Sequence, residues 1–166
     1  MDYEKAASYW EEKSAASAGM DREELWEEMK KFIETHNTCA LATGCGDFVR
    51  CTPIEYNFWK GKFWMLSEGG MKFHALKSNR NVCLAIYDAY TGFQNLGGMQ
   101  VTGTASLTET MSEEYLGLLA FRKLPAESVR KLPQELHLIG VVPQRIDFLW
   151  SGFKKLGYDA RQSLVF

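Results

Sequence analysis

From Thr38 onward the apolar residues recur at every second position, in short runs broken by glycine-bearing turns. A period of two places alternate side chains on opposite faces of a pleated strand, so this stretch reads as sheet. Thr38–Thr43 is the first expected strand, Gly44-Cys-Gly-Asp47 a tight turn, and Phe48–Phe58 the second strand. Lys60-Gly61 turns the chain into a third strand at Phe63–Leu66. Pro53 lies inside the second run and has no ladder donor, which puts that strand at an edge or a bulge. Val82–Tyr87 is a continuous apolar run, read as a buried strand. Val101, Gly103, Ala105 and Leu107 alternate with polar residues in a half-buried one. Leu138–Val142 and Ile146–Trp150, separated by Pro143, are the last expected strands. No strand–helix–strand alternation occurs, so the short connections imply antiparallel pairing in a small closed or split barrel with helices outside.

The period is helical only before that point. Residues 2–13 carry Tyr3, Ala6, Ala7 and Trp10 at helical spacing, followed by a small-residue linker, Ser14-Ala-Ala-Ser-Ala-Gly19. Asp21 with Glu24 forms a capping-box variant, Met20 can staple onto Leu25, and Leu25, Trp26, Met29, Phe32 and Ile33 make an apolar stripe over 21–36. Ser67-Glu-Gly-Gly70 turns a corner into a short helix at Met71–Lys77. Thr110 and Glu113 are the expected caps of a helix reaching Phe121, and Pro125 and Pro133 bound a further helical piece. The whole chain, 1–166, reads as one domain.

Composition narrows the partners. The net charge is −2 with no basic field, which speaks against nucleic acid or an anionic membrane surface. No apolar run approaches the length of a membrane span, and Met1-Asp-Tyr-Glu-Lys-Ala lacks the pattern of a signal peptide. Cys39, Cys45, Cys51 and Cys83 form no C-x-x-C pair, although a hairpin can bring Cys39 near Cys51. Buried reduced thiols in a cytoplasmic protein, and no metal, are expected. No glycine-rich nucleotide fingerprint occurs, and no Ser-His-Asp or Cys-His arrangement can be argued, so any catalysis would have to come from a cofactor.

Two cations bracket the stretch best suited to a ligand. Lys72 follows the Ser67–Gly70 corner, where free N–H groups at a helix start and a lysine together favour an anion. The same spacing fits a surface lysine. Arg50 shares a strand face with Phe48, Thr52, Ile54 and Tyr56, and on such a face it needs a phosphate, a ring edge, or a salt bridge to Glu55, Glu68 or Asp47. Met65, Leu66 and Ser67 end their strand at the corner, where backbone groups can meet the polar edge of a heterocycle.

These motifs resemble the pyridoxamine 5′-phosphate oxidase-like family of FMN-binding split β-barrels. The resemblance runs from Thr38 to Leu107 through Cys39-Ala-Leu-Ala-Thr43, Arg50-x-x-Pro53, Phe63–Lys72, Leu76-x-x-Asn79 and Val101-Thr-Gly-Thr-Ala105, with an echo at Ile146-Asp-Phe-Leu-Trp150. It implies a fold that is mainly β with flanking helices, an antiparallel six- to seven-stranded split barrel, in a homodimer with FMN at the subunit interface. It also implies that Arg50, Cys51, Thr52 and Pro53 lie along the flavin, Met65, Leu66 and Ser67 beside its ring, and Lys72 on its phosphate. Asn95, Met99 and Trp150 are implied near the site. The chain departs from the family at Asn79-Arg80, where Asn-Pro is usual. It departs again in the tail, where Gly152–Arg161 lacks the histidine of the Arg-x-His-x-x-Arg run that holds pyridoxal phosphate in the oxidases. The expected function is therefore a flavin-dependent oxidoreductase of a small electron-poor molecule, with the donor open, and not pyridoxamine phosphate oxidation. The alternative is a non-catalytic flavin- or haem-binding module, with His74 and His137 as the candidate haem ligands.

Overall fold

Asp21 starts the globular fold in the computed structural model, which describes residues 1–16 and 18–166. Its carboxylate accepts from the N–H groups of Glu23 and Glu24 at 2.9 and 3.3 Å, capping α2 (Arg22–Thr35). Leu25, Met29, Phe32 and Ile33 of α2 are buried, as the stripe requires. The preceding α1 spans Tyr3–Ala15, so it runs into the segment expected as linker, of which Ser17 lies outside the described residues. Tyr3 and Trp10 stay exposed, and α1 packs lightly.

The strands are β1 (Thr38–Cys45), β2 (Phe48–Glu55), β3 (Asn57–Trp59), β4 (Lys62–Ser67), β5 (Asn81–Tyr87), β6 (Gly97–Thr108), β7 (His137–Trp150) and β8 (Arg161–Val165). The remaining helices are α3 (Lys72–Leu76), α4 (Glu113–Phe121), α5 (Ala126–Arg130) and α6 (Gly152–Lys155). Seven strands follow the order β2-β1-β5-β6-β7-β4-β3, all described pairings are antiparallel, and β8 pairs with β7 off that path. One edge of β7 is shared: His137–Val141 pair with β4, and Arg145–Leu149 pair with β8. Although β2 and β4 lie far apart in the strand order, they touch, so the sheet curls into a split barrel.

Four local expectations are corrected. The second strand stops at Glu55, because Tyr56 leaves the ladder: its N–H bonds Asn37 O at 2.8 Å and its hydroxyl donates to Ile33 O at 2.6 Å. The two expected C-terminal strands are one, since Pro143 is absorbed by a bulge opposite Thr102 and Gly103. Strand β8 was not anticipated. The cap of α4 is Ser112, and Thr110 instead bonds Glu135. Pro53 does sit on an edge strand, β2.

At the bulge, a Cβ on Gly103 would stand 2.4 Å from Val142 O and 2.9 Å from Val141 Cγ1. Gly103→Ala is expected to cost about 3 kcal/mol, because two paired backbones must separate. Urea unfolding reads this as a lower midpoint at unchanged slope. A loss under about 1 kcal/mol would mean that the bulge yields freely.

Candidate functional site

The seam of the barrel holds an open groove of about 830 Å³ between β2, the end of β4 and the corner before α3. Thr52, Pro53, Leu66, Ser67 and Lys72 all line it. Five of the eleven sequence-predicted residues thus converge on one surface from three elements.

Lys72 is the unusual member. Its side chain is only 6% exposed, and it makes no ion pair among the described residues. The ammonium donates to Gly69 O and lies 5.2 Å from the Phe73 ring centroid. Burial lowers its pKa from the ordinary 10.5, and the positive charge of Arg50 lowers it further. Arg50 is exposed on β2 and forms no salt bridge with Glu55, Glu68 or Asp47 among the described residues. Its register partner Thr43 is 3% exposed, with a hydroxyl that has no hydrogen-bond partner. Arg50 and Thr43 stand next to the groove and are not among its lining residues, which include the carboxylate of Glu68 as well as Lys72.

The corner supplies backbone. Gly69 and Gly70 have φ of 143° and 105°, which L side chains rarely adopt, and they let the chain turn directly under Lys72. Ser67 Oγ stabilises the turn by accepting from Gly69 N–H at 3.3 Å. With five residues, α3 is too short for its dipole to dominate, so the positive charge at the corner is that of the Lys72 and Arg50 side chains.

The far wall escaped the sequence reading. Arg122, at the C-cap of α4, donates to both Glu55 carboxylate oxygens at 3.0 and 2.9 Å, across a separation of 67 residues. Leu124, Gln134 and Leu136 complete that wall. Nothing local in the sequence marks these residues, because tertiary packing alone brings α4 and its flanks to the seam.

The other predicted residues lie elsewhere on the subunit. Cys51 is exposed on the face of β2 opposite Thr52 and Arg50. The side chain of Met65 is in the core, at 0% exposure. Asn95 is exposed in the β5–β6 loop, and Met99 is buried on β6 opposite Phe148. Trp150, half-buried, lines a separate cavity with His36 and Asp88. The hairpin does not join Cys39 and Cys51: Cys39 opposes Ile54, Cys51 opposes Ala42, and all four thiols are free. Burial, with a smaller contribution from Cys51, pushes the Cys39 thiol up to about 12. His74 and His137 pack edge-on against Phe48 and Phe73, at 5.1 and 5.3 Å. Among the described residues no group of three or more His, Cys, Asp or Glu is placed to hold a metal ion, and no helix is long and apolar enough to cross a membrane.

Fold and groove define a split-barrel protein with a buried lysine at its seam. The chain belongs to the pyridoxamine 5′-phosphate oxidase family, whose model matches residues 25–149. No curated protein matches it by sequence. Among solved structures it is similar to a protein related to general stress protein 26, of the pyridoxinephosphate oxidase family, from Clostridium acetobutylicum. That pair shares 14% identity and a TM-score of 0.61, over 89% of this chain and 97% of the other. It is also similar to a FAD-binding protein from Mesorhizobium loti (14% identity, TM-score 0.55, 72% of this chain and 87% of that one). A third similar structure is HutZ, a heme storage protein from Vibrio cholerae (17% identity, TM-score 0.59, 70% and 88%). At these identities the likeness is one of fold.

Proposed function

We propose that the chain is a homodimeric FMN-binding protein and a flavin-dependent oxidoreductase acting on a small electron-poor molecule. The observation that carries this reading is the buried, unpaired Lys72 beside Arg50 at a glycine corner. A flavin phosphate supplies the missing charge, and a groove of about 830 Å³ has room for the ring system. In this reading Lys72 and Arg50 hold the phosphate, Gly69 and Gly70 admit it close to the backbone, and Pro53 and Leu66 flank the ring. Leu124 and Leu136 keep water from the far side, and the Glu55–Arg122 pair holds that wall against β2. Bound FMN would supply electron exchange with the substrate. The side chains described here bind, orient and exclude water.

Support for a dimer comes from the outer sheet face. Ala40, Ala42, Cys51, Pro53 and Ala85 form a flat surface of small side chains there, next to exposed Val49 and Tyr87. In this reading Asn95 and Trp150, which lie away from the groove of their own subunit, are the residues assigned to the groove of the partner. The groove contains no histidine, so a haem held there would lack an imidazole ligand from the described lining.

The test is the absorption spectrum of the purified protein and its titration with FMN. A flavin band near about 450 nm, or a thermal shift on adding FMN, is expected. A colourless protein with no shift would sink the proposal, and a Soret band would replace flavin by haem. FMN affinity should also fall with rising pH once Lys72 begins to lose its proton, below the ordinary 10.5. The steepest slope is about tenfold per pH unit, and Lys72→Arg is expected to remove this alkaline limb.

A further inference from the structure

Four charged side chains line the groove: Glu55, Glu68, Lys72 and Arg122. Their situations differ. Lys72 stands at the glycine corner, buried and without an acid. Arg122, on the far wall, gives Nη1 and Nη2 to the two oxygens of Glu55 at 3.0 and 2.9 Å. Glu68 is exposed and forms no ion pair among the described residues.

The Glu55–Arg122 pair is not a loose surface contact. Glu55 ends β2 opposite Thr38, and the next residue, Tyr56, is fixed by its bonds to Asn37 O and Ile33 O. Arg122 closes α4: its N–H donates to Leu118 O at 2.9 Å, and Leu118 and Leu119 are buried in the second core cluster. The arginine side chain is 22% exposed. A two-pronged contact between anchored backbones gives up less side-chain freedom than an ordinary surface pair, so it persists in the folded protein.

This pairing decides what charge an incoming molecule meets. A phosphate monoester carries about −1.5 to −2 at neutral pH, and Lys72 and Arg50 offset it. Arg122 is already offset by Glu55. The carboxylate of Glu68 is then the one lining charge left without a counter-charge among the described residues. An anion entering beside bound FMN finds no uncompensated cation and one uncompensated acid. The rest of the far wall is neutral, with Leu124 and Leu136 apolar and Gln134 an uncharged amide.

We propose that Glu55 is a specificity-determining residue, which sets the charge class of the substrate. By neutralising Arg122 it makes the groove select an uncharged electron-poor ring, such as a nitroarene or quinone without carboxylate, sulfonate or phosphate, and reject the anionic analogue. The inference rests on the flavin reading, because the phosphate of FMN is what occupies Lys72.

The ligands para-nitrobenzamide and para-nitrobenzoate share a ring and a shape and differ in charge. Each is titrated into the FMN-loaded protein at low salt, and binding is read from the perturbed absorption of the bound flavin. The amide is expected to bind at least about tenfold more tightly than the acid. Glu55→Gln releases the charge of Arg122, so nitrobenzoate should tighten by about tenfold while nitrobenzamide shifts less than about threefold. Arg122→Gln should weaken nitrobenzoate by a further fivefold or so, and this variant carries the test should Glu55→Gln fail to fold. The exchanged pair, Glu55→Arg with Arg122→Glu, should restore the wild-type preference. A pair that only braces the wall would change both ligands alike in every variant. Equal affinities in the wild type, an unchanged acid-to-amide ratio in Glu55→Gln or Arg122→Gln, or no perturbation by either ligand up to about 10 mM overturns the proposal. FMN loading is read first from the flavin band. Failure of the flavin reading therefore shows as an absent band, and failure of this inference as an unmoved ratio in loaded protein.

Discussion

Lys72→Met is expected to move ligand affinity and stability in opposite directions. FMN affinity should fall by about a hundredfold, roughly 2.7 kcal/mol, because the phosphate loses its one buried cationic partner. The ligand-free protein should become more stable by about 1 kcal/mol, since methionine fills similar space without an unpaired charge. The linkage follows from the lowered pKa. Between that lowered value and 10.5 the unfolded chain holds the lysine proton more tightly than the native state does. Native stability therefore rises with pH across this window, and Lys72→Met removes the rise. Urea midpoints at neutral and alkaline pH, with and without FMN, measure all of this. A variant that loses stability without ligand, or keeps its FMN affinity, contradicts the anion-site reading of Lys72.

Much of this geometry could be read from the sequence, for a physical reason. Period two, glycine-bearing turns and Pro53 are local signals, and they placed the edge strand β2, the hairpin into β1 and the corner under Lys72. The failures are tertiary. Tyr56 keeps the strand period yet leaves the ladder, because its partners Ile33 and Asn37 come from the end of α2 and the connection after it. Pro143 reads as a strand break, and only the facing Gly103 lets β7 continue past it. Arg122 belongs to the groove because Glu55 meets it across the seam. Arg50 and Lys72 were legible as site candidates because strand period and corner chemistry fix them locally, whereas Thr52 and Pro53 came from the family resemblance and do line the groove. Asn95, Met99 and Trp150 were placed by family resemblance alone, and in one subunit they lie away from the groove.

Trp64→Ala is expected to have the largest effect on stability, about 4 kcal/mol. The indole is 0% exposed, and its Nε1 donates to Trp59 O at 2.9 Å. It anchors a core cluster, distinct from the main one, in which Tyr115, Leu118 and Leu119 of α4 meet Leu138 of β7. A Cβ on the facing Gly140 would stand 2.6 Å from the Trp64 ring, so the pocket is shaped around this one side chain. Relaxation can fill only part of the void, because sheet backbone forms the opposite wall. Since the cluster joins α4 to the sheet, and α4 ends at Arg122, the loss should reach the groove. Hydrogen exchange should quicken first along Glu113–Phe121, and FMN affinity should fall although Trp64 lines no part of the groove. Trp64→Phe keeps a ring but loses the hydrogen bond, and about 2 kcal/mol is expected for it. If exchange instead rises uniformly over the barrel, the two clusters unfold as one unit and the groove wall has no separate stability. A groove with a weakly coupled wall can open to admit ligand while β2, β4 and the corner hold Lys72 in place.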